Sequence, residues 1–309
     1  MKHLIYILLT LSLLSSCSRD NNVIVYETMD NKPLSIKPSI QFGVNLIEHT
    51  FTSGKGCLTF DGPVTEIPDL AFQGTALSAI ELPRTVHKIG KEAFALCTDL
   101  KKCNIPVQCD TIGNQAFLYC PVQFKEINVT HIAPMAFLGC WSLDTVILSD
   151  QIHSIASEAF AGSALECITL PIQIDSIKNR TFYECKNLKH VVNLEKVRYL
   201  GDEAFEGCAF DSISIPSGVT EIPDNCFANN VNLKHIKLHS NIHRIGKAAF
   251  WNCKSLQSIE IPEGVAIIDD QAFAYCENLK TVIMPSNLDR VGYNIFEACP
   301  FLCDSIVNN

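Results

Sequence analysis

The chain has 309 residues and carries 24 lysines and arginines against 33 aspartates and glutamates, so its formal net charge is −9. Proteins that bind nucleic acid or grip anionic lipid need clustered Lys and Arg, and an acidic balance argues against both kinds of partner. No nucleic-acid partner is therefore expected.

The amino-terminal segment has the pattern of an export signal. Met1 to His3 form a short, weakly basic start, and an apolar run from Leu4 to Leu14 follows, which is too short to span a bilayer. The run ends in Leu14-Ser15-Ser16-Cys17, which resembles the lipobox of bacterial lipoproteins. The resemblance implies that residues 1–17 carry a lipoprotein signal peptide and that Cys17 is the lipidated residue. The alternative is an ordinary secretory signal, and either one predicts export.

Residues 18–22 are interpreted as a short polar tether between the lipid and the folded body. Ser18, rather than an aspartate, follows the cysteine, which by resemblance to bacterial lipoproteins implies the outer membrane. We therefore expect an outer-membrane lipoprotein on the cell surface, with both faces of that membrane compatible with the sequence.

Residues 23–57 are predicted to form a cap of β-hairpins. Alternating stretches, Val23 to Tyr26 and Leu34 to Ile36, flank Asp30-Asn31-Lys32-Pro33, and a second pair flanks Ser53-Gly54-Lys55-Gly56. A cap is expected because a repeat array begins at residue 58, and its first unit would otherwise expose its core and its strand edge.

Residues 58–309 form an array of about eleven repeats. A phenylalanine returns at intervals of 20 to 23 residues, and Ile, Leu or Val stands five positions before each one. A unit of this length cannot bury its apolar side chains alone, so the units must stack around a shared core as a solenoid. The phenylalanines are Phe72, Phe94, Phe117, Phe137, Phe160, Phe182, Phe205, Phe227, Phe250, Phe273 and Phe296.

Each repeat predicts two short strands and a tight corner. The first strand has two inward side chains with a period of two, such as Ile236 and Leu238, and a proline often ends it. The second strand is a Val-x-x-Ile step, and the corner that carries the phenylalanine is predicted to be a short helical turn. The pair Leu58 and Phe60 is assigned to the first strand of the first repeat.

The pattern Leu-x-x-Ile-x-Ile-Pro, then Val-x-x-Ile-Gly, then Ala-Phe-x-x-Cys resembles the BspA-like leucine-rich repeats of bacterial surface lipoproteins of the Bacteroides type. The likeness covers about residues 58–307. It implies a right-handed stack of coils in which the first strands form a parallel β-sheet on the concave face, with short second strands and short helical corners. It also implies a surface protein concerned with adhesion or protein binding.

Three places depart from the regular repeat. The interval from Phe117 to Phe137 is only 20 residues, so this coil is shortened. In the seventh coil Asn193 stands where an apolar side chain usually points inward, and we expect a β-bulge there rather than a hydrogen-bonded amide. After the last repeat only Asp304 to Asn309 remain, so a short polar end is expected.

Eight of the fifteen cysteines stand three residues after a phenylalanine, which argues against a disulfide framework. Stacked repeats place these side chains in one column with parallel Cβ vectors, whereas a disulfide needs vectors that face each other. We expect buried, reduced thiols that pack as small apolar groups. A pair of Cys103 and Cys109 stays open, and zinc is not expected because no Cys-x-x-Cys occurs. The column consists of Cys97, Cys120, Cys140, Cys185, Cys208, Cys253, Cys276 and Cys299.

No arrangement typical of an enzyme is present in the sequence. It lacks the G-x-S-x-G, H-E-x-x-H, phosphate-loop and dinucleotide patterns. His235, His239 and His243 are spaced by four, but the repeat places them on a strand, after it and in the next turn, so they point in different directions. We expect no catalytic residue, no metal and no cofactor.

The candidate partner-binding residues are outward positions of the first-strand sheet and two tryptophans. Trp141 occupies a solvent-facing position and Trp251 a corner position. An exposed tryptophan can anchor a protein or stack on a sugar, and packing against a neighbouring loop is the alternative. The sheet candidates are Lys102, His190, His235, Lys237 and Glu260, for which plain solvent contact is the alternative.

These features predict a lipid-anchored envelope protein whose solenoid binds macromolecules in adhesion or protein–protein interaction. Two alternatives stay open, a glycan-binding accessory lipoprotein and a structural envelope scaffold without a soluble ligand. The expected partners are a protein or glycan on a host or bacterial surface and, through the lipid, the membrane.

Overall fold

A computed structural model describes residues 21–302 and the backbone of residues 306–308. The predicted signal peptide, Cys17 and residues 18–20 of the tether lie outside the described residues. The chain forms two compact units, one ending at Ser142 and the other beginning at Leu143. Each unit is a run of parallel-sheet β-solenoid, as the repeat spacing predicts. In the described part of the chain, no helix is long and apolar enough to cross a membrane.

The amino-terminal segment contributes three strands, β1 (Val23–Thr28), β2 (Leu46–Thr52) and β3 (Lys55–Phe60). The first strands of the repeats follow at regular intervals. They are β5 (Leu77–Glu81), β7 (Lys102–Cys103), β9 (Glu126–Ile127), β11 (Thr145–Leu148), β13 (Cys167–Thr169), β15 (His190–Val192), β17 (Ser212–Ser214), β19 (His235–Lys237), β21 (Ser258–Glu260), β23 (Thr281–Met284) and β25 (Ile306–Asn308).

The second strands are all two residues long and coincide with the Val-x-x-Ile step. They are β4 (Glu66–Ile67), β6 (Lys88–Ile89), β8 (Thr111–Ile112), β10 (His131–Ile132), β12 (Ser154–Ile155), β14 (Ser176–Ile177), β16 (Tyr199–Leu200), β18 (Glu221–Ile222), β20 (Arg244–Ile245), β22 (Ile267–Ile268) and β24 (Arg290–Val291). In the second unit β18, β20, β22 and β24 pair in parallel, one after the other, and in the first unit β4, β6, β8 and β10 do the same.

The core lies between the two rows of strands, as the alternation predicts. Ile259 and Ile261 are 3% and 0% exposed, and Ile168 and Leu170 are also buried, whereas Ile236 of another repeat is half-buried. Burial of such side chains is the main source of stability, at roughly 1.5–3 kcal/mol for each side chain that is fully buried.

The cap differs from the predicted pair of hairpins. β2 and β3 form one hairpin around Ser53 and Gly54, but β1 pairs antiparallel with β3 on one side and with β5 on the other. The segment around Leu34 is not a strand, and the backbone N–H of Leu34 donates to the Tyr26 hydroxyl at 3.1 Å. The assignment of Leu58 and Phe60 to a parallel first strand is also wrong, because β3 is an inner strand of this antiparallel cap.

The expected bulge in the seventh coil is wrong for a local reason. β15 pairs with β13 without a bulge, because Asn193 leaves the strand in a left-handed conformation (φ 66°) and its amide donates to the Leu170 carbonyl at 2.7 Å. A 3₁₀ helix, Leu194–Lys196, follows. At the carboxyl end, β25 pairs in parallel with β23, so residues 306–308 add one more strand to the sheet.

The phenylalanine rings form a stacked column within each unit. In the first unit the ring centroids from Phe72 to Phe137 lie 5.2–5.5 Å apart, and in the second those from Phe160 to Phe296 lie 5.3–6.0 Å apart. Ten of the eleven rings are fully buried, and Phe296 at the end is half-buried. Stacked aromatic pairs contribute about 0.5–1.5 kcal/mol beyond their buried area.

The corners are interleaved turns rather than short helices. At all eleven corners the residues two before and two after the phenylalanine have a positive φ of 51–70°, which a right-handed helix cannot contain. Some backbone N–H groups of the corner then donate to the next coil, and others donate within their own turn. Phe250 donates to the Ala272 carbonyl of the next coil at 2.8 Å, whereas Cys253 donates within its own turn to the Phe250 carbonyl at 3.3 Å.

The cysteine column is built into these corners. Seven of its eight members are buried, Cys299 is half-buried, and all eight are free thiols. Each Sγ donates to the carbonyl of the phenylalanine in the preceding coil, as Cys276 does to Phe250 at 3.2 Å. Asn230 replaces the cysteine in one coil and makes the same bond to Phe205 at 2.8 Å. The position therefore supplies a small buried donor that joins neighbouring coils.

Candidate functional site

The outward side chains of the first strands form the exposed face that the sequence singles out. Lys102, His190, His235, Lys237 and Glu260 are all exposed on this face, as the period of two predicts. Lys102 belongs to the first unit and the other four to the second.

The ladder of first strands is interrupted at three places within the two units. In the described residues β7 has no pairing with β9, β15 has none with β17, and β19 has none with β21. A groove lies at each interruption, and the one beside β7 is lined on its other side by Gln123. We name these grooves the β7/β9, β15/β17 and β19/β21 grooves.

Four of the five sheet candidates line these grooves. Lys102 lines the β7/β9 groove (410 Å³), and His190 lines the β15/β17 groove (660 Å³). Lys237 and Glu260 face each other across the β19/β21 groove (520 Å³). His235 lies on β19 and lines none of the three. The structure thus places side chains from distant repeats at the same kind of site, which spacing alone did not indicate.

The β15/β17 groove combines charged, hydroxyl and apolar groups. Lys189 and Glu195 stand at its edge, Ser212 and Ser214 line one wall, and Val192 presents a side chain that is 45% exposed. The backbone groups of alternate residues in a strand point to opposite neighbours, so N–H and C=O groups of both strands face this groove. It can therefore offer hydrogen bonds as well as apolar contact.

Two local features of the chain lie beside this interruption. Asn193 turns the chain off the strand line directly after Val192. On the second-strand side, Gly201 and Gly246 each donate an N–H to an isoleucine carbonyl of the preceding coil, at 2.8 and 2.7 Å. Pro223 occupies the equivalent position and has no N–H, and in the described residues β16 has no pairing with β18.

The other two grooves are shaped by amide and histidine contacts. Asn104 closes one end of the β7/β9 groove, because its side chain accepts from the Leu82 N–H at 2.7 Å and donates to the Leu82 carbonyl at 2.9 Å. His239 lines the β19/β21 groove and its Nε2 lies 2.9 Å from the Pro216 carbonyl. These contacts hold the Asn104 and His239 side chains in place beside the two grooves, while the facing edges of the first strands remain unpaired.

The two tryptophans occupy different environments. The Trp141 side chain is 48% exposed, as the sequence predicts. Trp251 is half-buried and packs against the ring of Tyr275, with centroids 5.5 Å apart, which matches the alternative of packing between neighbouring coils. The described residues contain no group of three or more side chains arranged to hold a metal ion.

Sequence reasoning missed Lys189, Glu195 and the open strand edges of the β15/β17 groove. Lys189 and Glu195 lie before and after the alternating residues of β15, so alternation could not assign either side chain to a face of the sheet. A signal for the interruption is nevertheless present. Val-Thr-Glu-Ile-Pro-Asp occurs at residues 64–69, where the stack of second strands begins, and again at 219–224 inside the array.

A family model described as BspA type leucine rich repeat region matches residues 65–189 and 175–303 with six copies. Among solved structures, a leucine-rich repeat protein from Bacteroides ovatus is 26% identical, with a TM-score of 0.52 over 86% of this chain and 91% of that one. A leucine rich cell surface protein from Faecalibacterium prausnitzii is also 26% identical, with a TM-score of 0.52 over 94% of both chains. The pneumococcal vaccine antigen PcpA shares the fold at 15% identity, with a TM-score of 0.51 over 91% of this chain and 85% of that one. No curated protein matches.

Proposed function

The chain belongs to the family of BspA type leucine-rich repeat proteins, and we propose on this premise that it is a lipid-anchored envelope protein that binds a protein partner through its first-strand sheet. The similar protein from Faecalibacterium prausnitzii is described as a cell surface protein, which supports a surface location. Leucine-rich-repeat solenoids are generally non-enzymatic, and the proposal assigns no catalytic residue.

The β15/β17 groove is the observation that carries the binding role. It places Val192, two serines and charges of both signs around unpaired strand edges within one cavity. Protein interfaces typically combine an apolar centre with a polar rim that supplies hydrogen bonds. A mixed groove of this kind suits a protein surface better than a nucleic acid, whose phosphates require concentrated positive charge.

Binding can be tested with an array of matrix proteins and glycans probed with the exported chain. Saturable binding to a protein is the expected result. The variant Val192→Asp should weaken that binding by about tenfold or more, because it places an unpaired charge at the centre of the groove. Ile172→Asp is the matched control, since Ile172 is 60% exposed and lines none of the three grooves.

Other outcomes of the array point to the alternatives. Binding to sugars alone would favour a glycan-binding accessory protein, for which the exposed ring of Trp141 is the observation in favour. Absence of binding throughout the array would favour an envelope scaffold. Equal losses in Val192→Asp and Ile172→Asp would contradict the assignment of the groove.

The anchor and the surface location need separate tests. Labelling of growing cells with a fatty acid should mark the protein, and Cys17→Ala should abolish the label. Protease added to intact cells should degrade the protein if it is displayed outside. Resistance in intact cells together with sensitivity in lysed cells would overturn the surface location.

A further inference from the structure

Strand β2 is the outermost strand of the sheet in the first unit. The order of that sheet is β2, β3, β1, β5 and β7, and in the described residues nothing pairs with the outer edge of β2. All seven residues of β2 are exposed except Phe51, which is half-buried. An exposed edge strand is a template for another strand, and proteins usually protect such edges with Lys, Pro or short length. β2 contains neither Lys nor Pro, and Glu48 is its only charged residue.

The pairing with β3 shows which backbone groups of β2 are free. Thr52 pairs with Lys55 across a two-residue turn, in which Ser53 and Gly54 both have a positive φ. The pair that closes such a turn is hydrogen-bonded, and bonded and non-bonded pairs alternate from there. Thr52, Thr50 and Glu48 therefore bond to β3. His49 and Phe51 direct their N–H and C=O groups outward.

Only one self-pairing uses both outward residues within the regular part of the strand. The register shifts between Leu46 and Glu48, so residues 48–52 form the regular segment. An antiparallel pair centred on Thr50 sets His49 opposite Phe51 of a second copy, and Phe51 opposite His49. This gives four backbone hydrogen bonds across two bonded pairs. Centring on His49 would use Ile47 at the irregularity, and centring on Phe51 would use Ser53 in the turn.

The side chains are compatible with that register. Thr50 meets Thr50 of the second copy, and Glu48 meets Thr52 instead of another carboxylate. Threonine pairs across antiparallel strands are favourable, whereas like charges directly opposite are not. On the other face, His49 Nε2 lies 2.6 Å from the Tyr26 hydroxyl and Phe51 stacks on the Tyr26 ring at 6.1 Å. These contacts hold the strand in place before it meets a partner.

We propose that two copies of this protein associate through β2, antiparallel and centred on Thr50, so that the cap sheets of both copies join edge to edge. The interaction uses no residue that lines the β7/β9, β15/β17 or β19/β21 groove.

Two lysine substitutions on the same face of β2 test the register. Thr50→Lys places a lysine opposite its own copy, so the dimer should be lost. Thr52→Lys places the same charge opposite Glu48, so the dimer should be retained. Sedimentation of the full-length chain and of both variants gives the readout. Thr50 and Thr52 are both exposed, so neither change should impair folding.

Cysteine substitutions give a second readout in intact cells. Thr50 and its copy form a non-bonded pair, whose Cα atoms lie about 4.5 Å apart, within the range for a disulfide. Thr50→Cys should therefore yield a covalent dimer on non-reducing gels. Thr52→Cys and the unmodified chain, with its native cysteines, should not.

The proposal is overturned if the full-length chain is a monomer at its highest soluble concentration and Thr50→Cys does not crosslink. It is equally overturned if Thr50→Cys and Thr52→Cys crosslink to the same extent, or if both lysine variants keep the dimer. In the last case another surface, or another segment of the same chain, is responsible.

Discussion

The corner and the first-strand sheet of the same two coils are held together in different ways. Where β15 faces β17 the sheet ladder is open in the described residues. At the corner of the same coils, Phe205 stacks on Phe227 with centroids 5.6 Å apart. Phe205 and Gly207 also donate to the Cys226 and Ala228 carbonyls at 3.0 and 2.9 Å.

The difference assigns separate roles to the two sides of a coil. The corner repeats its ring stack, its hydrogen bonds between coils and its buried donor at nearly every step, so it supplies the stability of the array. The hydrogen bonds between two neighbouring first strands can then be absent while the coils stay stacked. Open strand edges therefore occur on the side of the coil that contributes less to its stability.

The largest expected effect comes from the ring stack. Phe250→Ala removes a fully buried ring between two stacked neighbours and should lower the free energy of unfolding by about 3–5 kcal/mol. Val192→Ala in the groove should change it by less than about 0.5 kcal/mol. Urea unfolding of both variants measures the difference, and similar losses would contradict the division between corner and sheet.

An intermediate effect comes from the corner thiols at alkaline pH. Burial raises the pKa of Cys253 to about 12, whereas a thiol in the unfolded chain ionises near pH 8.5. This folded-state pKa is raised, so the stability that the thiol contributes is complete below about pH 8.5 and is lost as pH rises toward 12. The loss for one such thiol is about 1.4 kcal/mol per pH unit.

Urea unfolding at pH 7.5 and pH 9.5 checks the thiol effect. The unmodified chain should lose more stability over that interval than Cys253→Ser, which cannot ionise and keeps a small donor at the same position. Ser163 already occupies the equivalent position in another coil. If both proteins lose the same amount, the buried thiol is not the source of the alkaline sensitivity.

The smallest effect comes from the left-handed corner residues. Ala298 is exposed with φ 54°, and Ala298→Gly should stabilise the protein by up to about 1 kcal/mol, because glycine adopts this conformation without strain. Gly207 has φ 70°, and a Cβ there would lie 2.6 Å from Glu184 Oε1. Gly207→Ala should therefore destabilise by about 1 kcal/mol. Thermal unfolding of the pair measures both changes, and shifts of the same sign would refute the account of the corner.

The core of this fold was predictable because it depends on period alone. The spacing of Phe250 and Phe273 and the alternation of Ile259 and Ile261 assign each side chain a direction without knowledge of its partner. The outward direction of Lys237 follows in the same way.

The predictions that are wrong concern properties that the spacing of the apolar residues does not determine. Alternation defines the faces of β3 but not which strand lies beside it, so Leu58 and Phe60 were assigned to a parallel coil although β3 belongs to the antiparallel cap. Most left-handed corner positions carry residues other than glycine, such as Leu96 and Glu203, so the sequence gives no sign of the turn. The grooves depend on hydrogen bonds that are missing between neighbouring first strands, and the repeat spacing does not indicate where they are missing.

Hydrogen exchange at the β15/β17 groove shows whether the first-strand ladder is open there while the corner is closed. The amides of Phe205 and Gly207 bond across the corner, and those of Ser212 and Ser214 face the open groove. We expect slow exchange for the first pair and fast exchange, close to that of an unprotected amide, for the second. Protection of Ser212 and Ser214 equal to that of the corner amides would contradict it, because the ladder would then be closed.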